Sequence, residues 1–122
     1  MTKRGRNFII LCMSTLMLLG GVALARHTST PFKVKVAEWD EYRQELFVAG
    51  HGQHQCDIII YNAGDMSQIG EAYCPDKMWF TTIEDPQPVP CRVFAEQLAS
   101  ETCEHLTSSL DVQYAPDDCG PE

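Results

Sequence analysis

Hydrophobic and polar residues alternate along most of this chain, with a period of two broken by clusters of turn residues. Phe32-Lys33-Val34-Lys35-Val36 alternates strictly and predicts a strand. Asp40 to Gln44 is a polar turn, and Glu45-Leu46-Phe47-Val48-Ala49 predicts a second strand stopped by Gly50 and Gly52. Cys56 to Tyr61, rich in β-branched residues, predicts a third strand at the centre of a sheet. Asn62-Ala63-Gly64-Asp65 turns the chain, and Gln68 to Tyr73 is the returning partner. Met78–Ile83, Cys91–Ala95 and Ser109–Tyr114 predict strands five, six and seven.

Two stretches depart from that rhythm. In Pro86-Gln87-Pro88-Val89-Pro90 the alternate prolines hold the backbone extended, lack ladder donors and exclude helix. They lead into a strand opened by Cys91, so the segment reads as a device for setting register. Between the last two strands, residues 96–106 do not alternate, and Gln97 to Glu101 has fair helix propensity. A long loop with one helical turn fits there. Seven short antiparallel strands in just under 100 residues describe an all-β, immunoglobulin-like sandwich, with a small barrel as the competing architecture.

The first residues carry an address instead of structure. Lys3, Arg4 and Arg6 precede an apolar run from Phe8 to Leu19, and Ala23-Leu24-Ala25 supplies a small-x-small cleavage site. That run, of about a dozen residues, is short of the ~20 that span a bilayer. Residues 1–25 are thus expected to be a cleaved signal peptide; left uncleaved, the same segment would be an anchor. Cys12 follows Leu11, which is not a lipoprotein acceptor pattern. The expected layout is a flexible lead over 26–31, a domain over 32–119 and a tail over 120–122.

Cleavage changes the charge. The whole chain has 9 Lys+Arg against 17 Asp+Glu. Residues 1–25 hold three of the basic groups and no acidic one, so 6 remain against 17, a net −11. Nucleic acid and anionic membrane both need basic patches, and this balance points away from either as a partner. A domain this small buries a modest core, and exported domains of this size often add disulfides.

Several segments together resemble exported bacterial immunoglobulin-like domains, of the Big or fibronectin type III-like kind. They are Val36-Ala37-Glu38-Trp39-Asp40, Leu46 to Gly50, Met78-Trp79-Phe80, Pro86 to Val93 and Ala115 to Cys119. The resemblance implies a periplasmic or secreted sandwich serving adhesion, spacing or interaction with a protein partner, and carries over no catalytic residue. The loop at 97–107 is longer than that pattern, and Cys56, Cys74 and Cys103 lie outside it.

Of 6 cysteines, five lie beyond residue 25, an odd number for an oxidising compartment. Antiparallel pairing of the last two strands puts Cys91 beside Cys119, and a disulfide there would add roughly 3–4 kcal/mol in the chain-entropy model. A hairpin centred on Gly64-Asp65 sets Cys56 opposite Cys74, which offers a second disulfide and leaves Cys103 over. His51, His54, Cys103 and His105 fall at that same pole, where thiolates and imidazoles would suit copper(I) or zinc. The alternative there is one disulfide, a spare thiol and solvated histidines.

Other chemistry has little footing. Glu84-Asp85 and Asp117-Asp118 lack a calcium loop and read as solvated turns. Trp39, Trp79, Phe47 and Phe94 could form an aromatic platform for sugar, although burial at the core is the ordinary use of each. No nucleophile elbow, phosphate loop or dinucleotide fingerprint is present, and the chain is read as non-enzymatic. Two functions result: a protein-interaction or structural module, and a metal-handling protein using the histidine–cysteine pole.

Overall fold

The computed structural model describes residues 32–121, so the expected signal peptide over 1–25 and the whole of the expected lead over 26–31 lie outside the described residues. Seven strands follow in order: β1 (Lys33–Asp40), β2 (Glu45–His51), β3 (Cys56–Asn62), β4 (Ser67–Cys74), β5 (Met78–Glu84), β6 (Arg92–Gln97) and β7 (Leu106–Asp111). They form two antiparallel sheets, one ordered β1-β2-β5 and the other β4-β3-β6-β7. The result is the expected all-β sandwich.

Period-two burial explains why each strand sits as it does. In β3 the side chains of Cys56, Ile58, Ile60 and Asn62 point inward while Asp57 is exposed. Leu46 and Val48 of β2, Trp79 and Ile83 of β5, and Val93 and Ala95 of β6 complete the facing layers. Phe32 stacks on Trp79 with ring centroids 5.8 Å apart, closing the core at one pole. At the other pole Trp39 is buried and its Nε1 donates to Glu41 at 2.8 Å.

Strand β1 runs further than its opening alternation predicts. Its pairing with β2 slips between Val34 and Val36, a bulge that reverses the phase. Val34, Ala37 and Trp39 therefore face inward, whereas Val36 is only half-buried. Gly50 makes this close pairing feasible: a Cβ there would run into the Lys33 carbonyl and lie 2.8 Å from the Trp79 ring.

The proline-rich segment carries the chain from the first sheet to the second, between β5 and β6. Pro90 is fully buried, Val89 packs on the core, and the Val89 carbonyl accepts from Gly120 N at 2.9 Å. Buried Asn62 donates to the Gly120 carbonyl at 2.7 Å, so residues 119–121 are held against the β3–β4 turn.

Two expectations are corrected. The last strand is Leu106–Asp111, not 109–114, because residues after Asp111 leave β6 and turn to β1. Trp39 N donates to Gln113 O at 3.0 Å, and Gln113 N to Ala37 O at 2.8 Å. The connection over 98–105 contains no helical turn. Its backbone groups go elsewhere: Leu98 N to Asp57 O, and Glu104 N to the Gln53 side chain at 2.9 Å.

Candidate functional site

Two regions carry the groups singled out in the sequence. The first is the pole where β3 begins and β4 ends. Cys56 and Cys74 are direct cross-strand partners there, as the hairpin predicts. The bond nevertheless joins Cys56 to Cys103, with Cα atoms 5.9 Å apart, and Cys74 is a buried free thiol. The Cys56–Cys74 disulfide is thus corrected. The physical reason lies in the 98–105 connection, which folds back over the start of β3 and places the Cys103 sulfur 3.4 Å from the Gln55 carbonyl.

Gln97 organises that fold-back. Its buried amide accepts from Gln53 N at 2.9 Å and donates to Gln53 Oε1 and to the Glu104 carbonyl at 2.9 and 2.8 Å. The Cys74 thiol sits beside Gly52. Burial pushes it up, partly offset by the backbone amides of Asp76 and Gly52.

The histidines of this pole are held apart by partners of their own. His54 Nδ1 lies 3.6 Å from Asp76 Oδ1, and both side chains are largely exposed. His105 Nε2 lies 2.7 Å from Glu96 Oε2, while Tyr61 donates to Glu96 Oε1 at 2.8 Å. Those two contacts, the tyrosine first, hold the Glu96 carboxyl below its ordinary value, and the hydrogen bond to Glu96 holds the Tyr61 hydroxyl above its own. His51 contributes its carbonyl, which accepts from Trp79 Nε1 at 3.0 Å. With Cys103 bonded to Cys56, the set His51, His54, Cys103 and His105 does not assemble as a copper or zinc site. Among the described residues no group of three or more His, Cys, Asp or Glu is placed to hold a metal ion.

At the opposite pole Cys91 and Cys119 are bonded, with Cα atoms 5.1 Å apart. This pairing matches the one argued from antiparallel strands.

The second region is the outer face of the β1-β2-β5 sheet, which the sequence did not single out as a unit. Phe80 is 71% exposed, Met78 65% and Phe47 38%, and the rings of Phe47 and Phe80 stack at 6.2 Å. Register explains the cluster: Ala49 sits opposite Phe80, Phe47 opposite Thr82, and Val36 opposite Ala49. Carboxylates bound one end, where Asp40 faces Glu45 and Glu45 faces Glu84, and Glu38 flanks Phe47. A shallow depression of about 400 Å³ beside it is lined by Phe47, Tyr114, Glu38 and Glu41 among others.

The four-aromatic platform considered for sugar is not formed. Trp39 and Trp79 are buried, and Phe94 packs with Tyr61 in the other sheet, centroids 6.0 Å apart. The signal for the true cluster was the β5 run Met-Trp-Phe, in which an inward tryptophan obliges its two neighbours to face out.

Compared with protein-family models, curated proteins and solved structures, the chain matches none.

Proposed function

We propose that this chain is an exported, non-catalytic, disulfide-stabilised immunoglobulin-like module that binds a protein partner through the outer face of its three-stranded sheet. The observation carrying this reading is the stacked Phe47–Phe80 pair with Met78 two residues along the same strand face, all three exposed. Contiguous apolar patches of this kind, rimmed by polar groups, mark interaction surfaces. Two disulfides suit an oxidising location outside the cytoplasm, in keeping with a periplasmic or secreted protein.

Charge orients the partner. Asp40, Glu45 and Glu84 lie together at one end of the face and Lys33 at the opposite corner. A complementary surface presents an apolar centre with Lys or Arg toward the carboxylate end. Edge pairing is a weaker candidate on one side, because β1 is already bridged to Gln113.

The test compares the exported protein with Phe80→Ser and Phe47→Ser in crosslinking to its neighbours in the native compartment. Tyr73→Ser, an exposed aromatic change on β4, serves as the control. A single crosslinked species lost with both phenylalanine variants and kept with the control supports the reading. A species kept in all variants, or none formed by the wild type, overturns it.

A further inference from the structure

Cys56 has two cysteines for neighbours. Cys103 is bonded to it, and Cys74 is its direct partner across the β3–β4 ladder. Directly opposed residues of an antiparallel pair have Cα atoms about 4.5–5.5 Å apart, and disulfides span about 4.4–6.8 Å. Both pairings of Cys56 are therefore compatible with the backbone as it stands. Cys56 and Cys74 also share the buried face of their sheet, so neither strand has to turn over to join them.

We propose that thiol–disulfide exchange within the protein converts Cys56–Cys103 into Cys56–Cys74 and frees Cys103 as a covalent attachment site for a partner disulfide. In the first step the Cys74 sulfur, as thiolate, attacks the Cys56 sulfur. The Cys56–Cys103 bond breaks and its electron pair leaves on Cys103, which takes up a proton in place of the one Cys74 gave to solvent. One disulfide and one thiol stand on each side, so no oxidant or reductant is consumed. In the second step the Cys103 thiolate attacks a disulfide of the partner. A mixed disulfide forms and the partner's other sulfur leaves as a thiol.

The two end states differ in where the thiol sits. Cys74 is fully buried in the core cluster, out of reach of any partner. Cys103 is itself only 7% exposed while bonded to Cys56. It lies, however, in the surface connection between β6 and β7, where Glu101, Thr102, Glu104 and His105 are all exposed, so release of the bond is what opens it to a partner. Without its bond to Cys56 this connection is still anchored at its two ends, by Leu98 N to Asp57 O and by His105 to Glu96, and between them by the hydrogen bonds through Gln53 and Gln97. The exchange thus moves the free thiol from the core cluster to a connection whose flanking residues are exposed. Cys56–Cys103 is the pair the structure holds, and burial, which raises the Cys74 thiol, lowers its thiolate fraction and slows the exchange.

Incubating native protein with N-ethylmaleimide, quenching in acid and mapping the peptides tests the first step. The expected result is label on Cys103 together with a Cys56–Cys74 linked peptide, and loss of both in Cys74→Val. Label confined to Cys74, no label under native conditions, or equal Cys103 labelling in Cys74→Val overturns the proposal. Cys103→Ser gives a readout independent of that variant's folding. After exposure to oxidised glutathione it should contain Cys56–Cys74, and two remaining free thiols would overturn the exchange. Oxidised glutathione also probes the second step: a glutathione adduct on Cys103 of the wild type, absent from Cys74→Val, is expected. An adduct in both or in neither counts against the attachment site.

Discussion

At the residue scale, the polar side chain that the fold most depends on is Gln97. It is fully buried; its Oε1 accepts from Gln53 N, and its Nε2 donates to Gln53 Oε1 and to the Glu104 carbonyl. Gln97→Leu should leave Gln53 N and the Glu104 carbonyl unpaired and cost about 1–3 kcal/mol, read as a lower urea midpoint. Glu96 gives a pH-dependent counterpart. Its folded value lies below the ordinary 4.5 because Tyr61 and His105 bond its ionised form. Its stabilisation is therefore present above about pH 4.5 and is lost as pH falls through the lower folded value. Wild type and Glu96→Gln should differ in urea midpoint near neutrality and converge in acid; a gap that widens on acidification contradicts this. Neither residue stood out in the sequence. A buried glutamine looks like any other polar letter, and its partners Gln53 and Glu104 lie in loops that no periodicity locates.

At the element scale, strands were legible wherever one face is buried and less so at the edges. Strand β3 alternates because it lies between β4 and β6 with its inner side against the core. Strand β7 is an edge strand in which Thr107 is exposed and Ser108 and Ser109 are partly buried, so its pattern is faint, and the clearer alternation of Asp111 to Tyr114 belongs to the bridge with β1. The bulge in β1 was hidden because Phe32 to Val36 alternates perfectly up to the slip. Gly50→Ala should push that part of β1 off β2, and hydrogen exchange should show faster exchange in β1 than in β3. The Cys91–Cys119 link was legible, since strand order alone brings its ends together. The partner of Cys56 was not, because a hairpin predicts adjacency but not which of two adjacent sulfurs bonds. Replacing Cys119 with Ser should cost about 3–4 kcal/mol by the loop-closure argument. Cys103→Ser should cost less than Cys56→Ser, since Cys74 is in place to restore a crosslink to Cys56 but not to Cys103.

At the scale of the whole molecule, the two disulfides sit at opposite poles of a sandwich whose chain enters by Phe32 and reaches Pro121 at the far end. Carboxylates gather on the outer sheet face near that far end, so binding there should weaken from low to high salt, and a salt-independent affinity would argue for a different surface. The crosslinks also interlock, and this sets how far the domain can be stretched if it is pulled between its ends. The shortest covalent route runs from Phe32 to Cys56, across to Cys103, back to Cys91, across to Cys119 and out to Pro121. That route is about 38 peptide steps, roughly 150 Å when taut, against about 89 steps and roughly 310 Å after reduction. A module so wired limits its own extension under tension, as a strap with two stitched pleats does. Exchange of Cys56 from Cys103 to Cys74 lengthens the route by about five steps, roughly 17 Å, a difference that single-molecule force spectroscopy resolves.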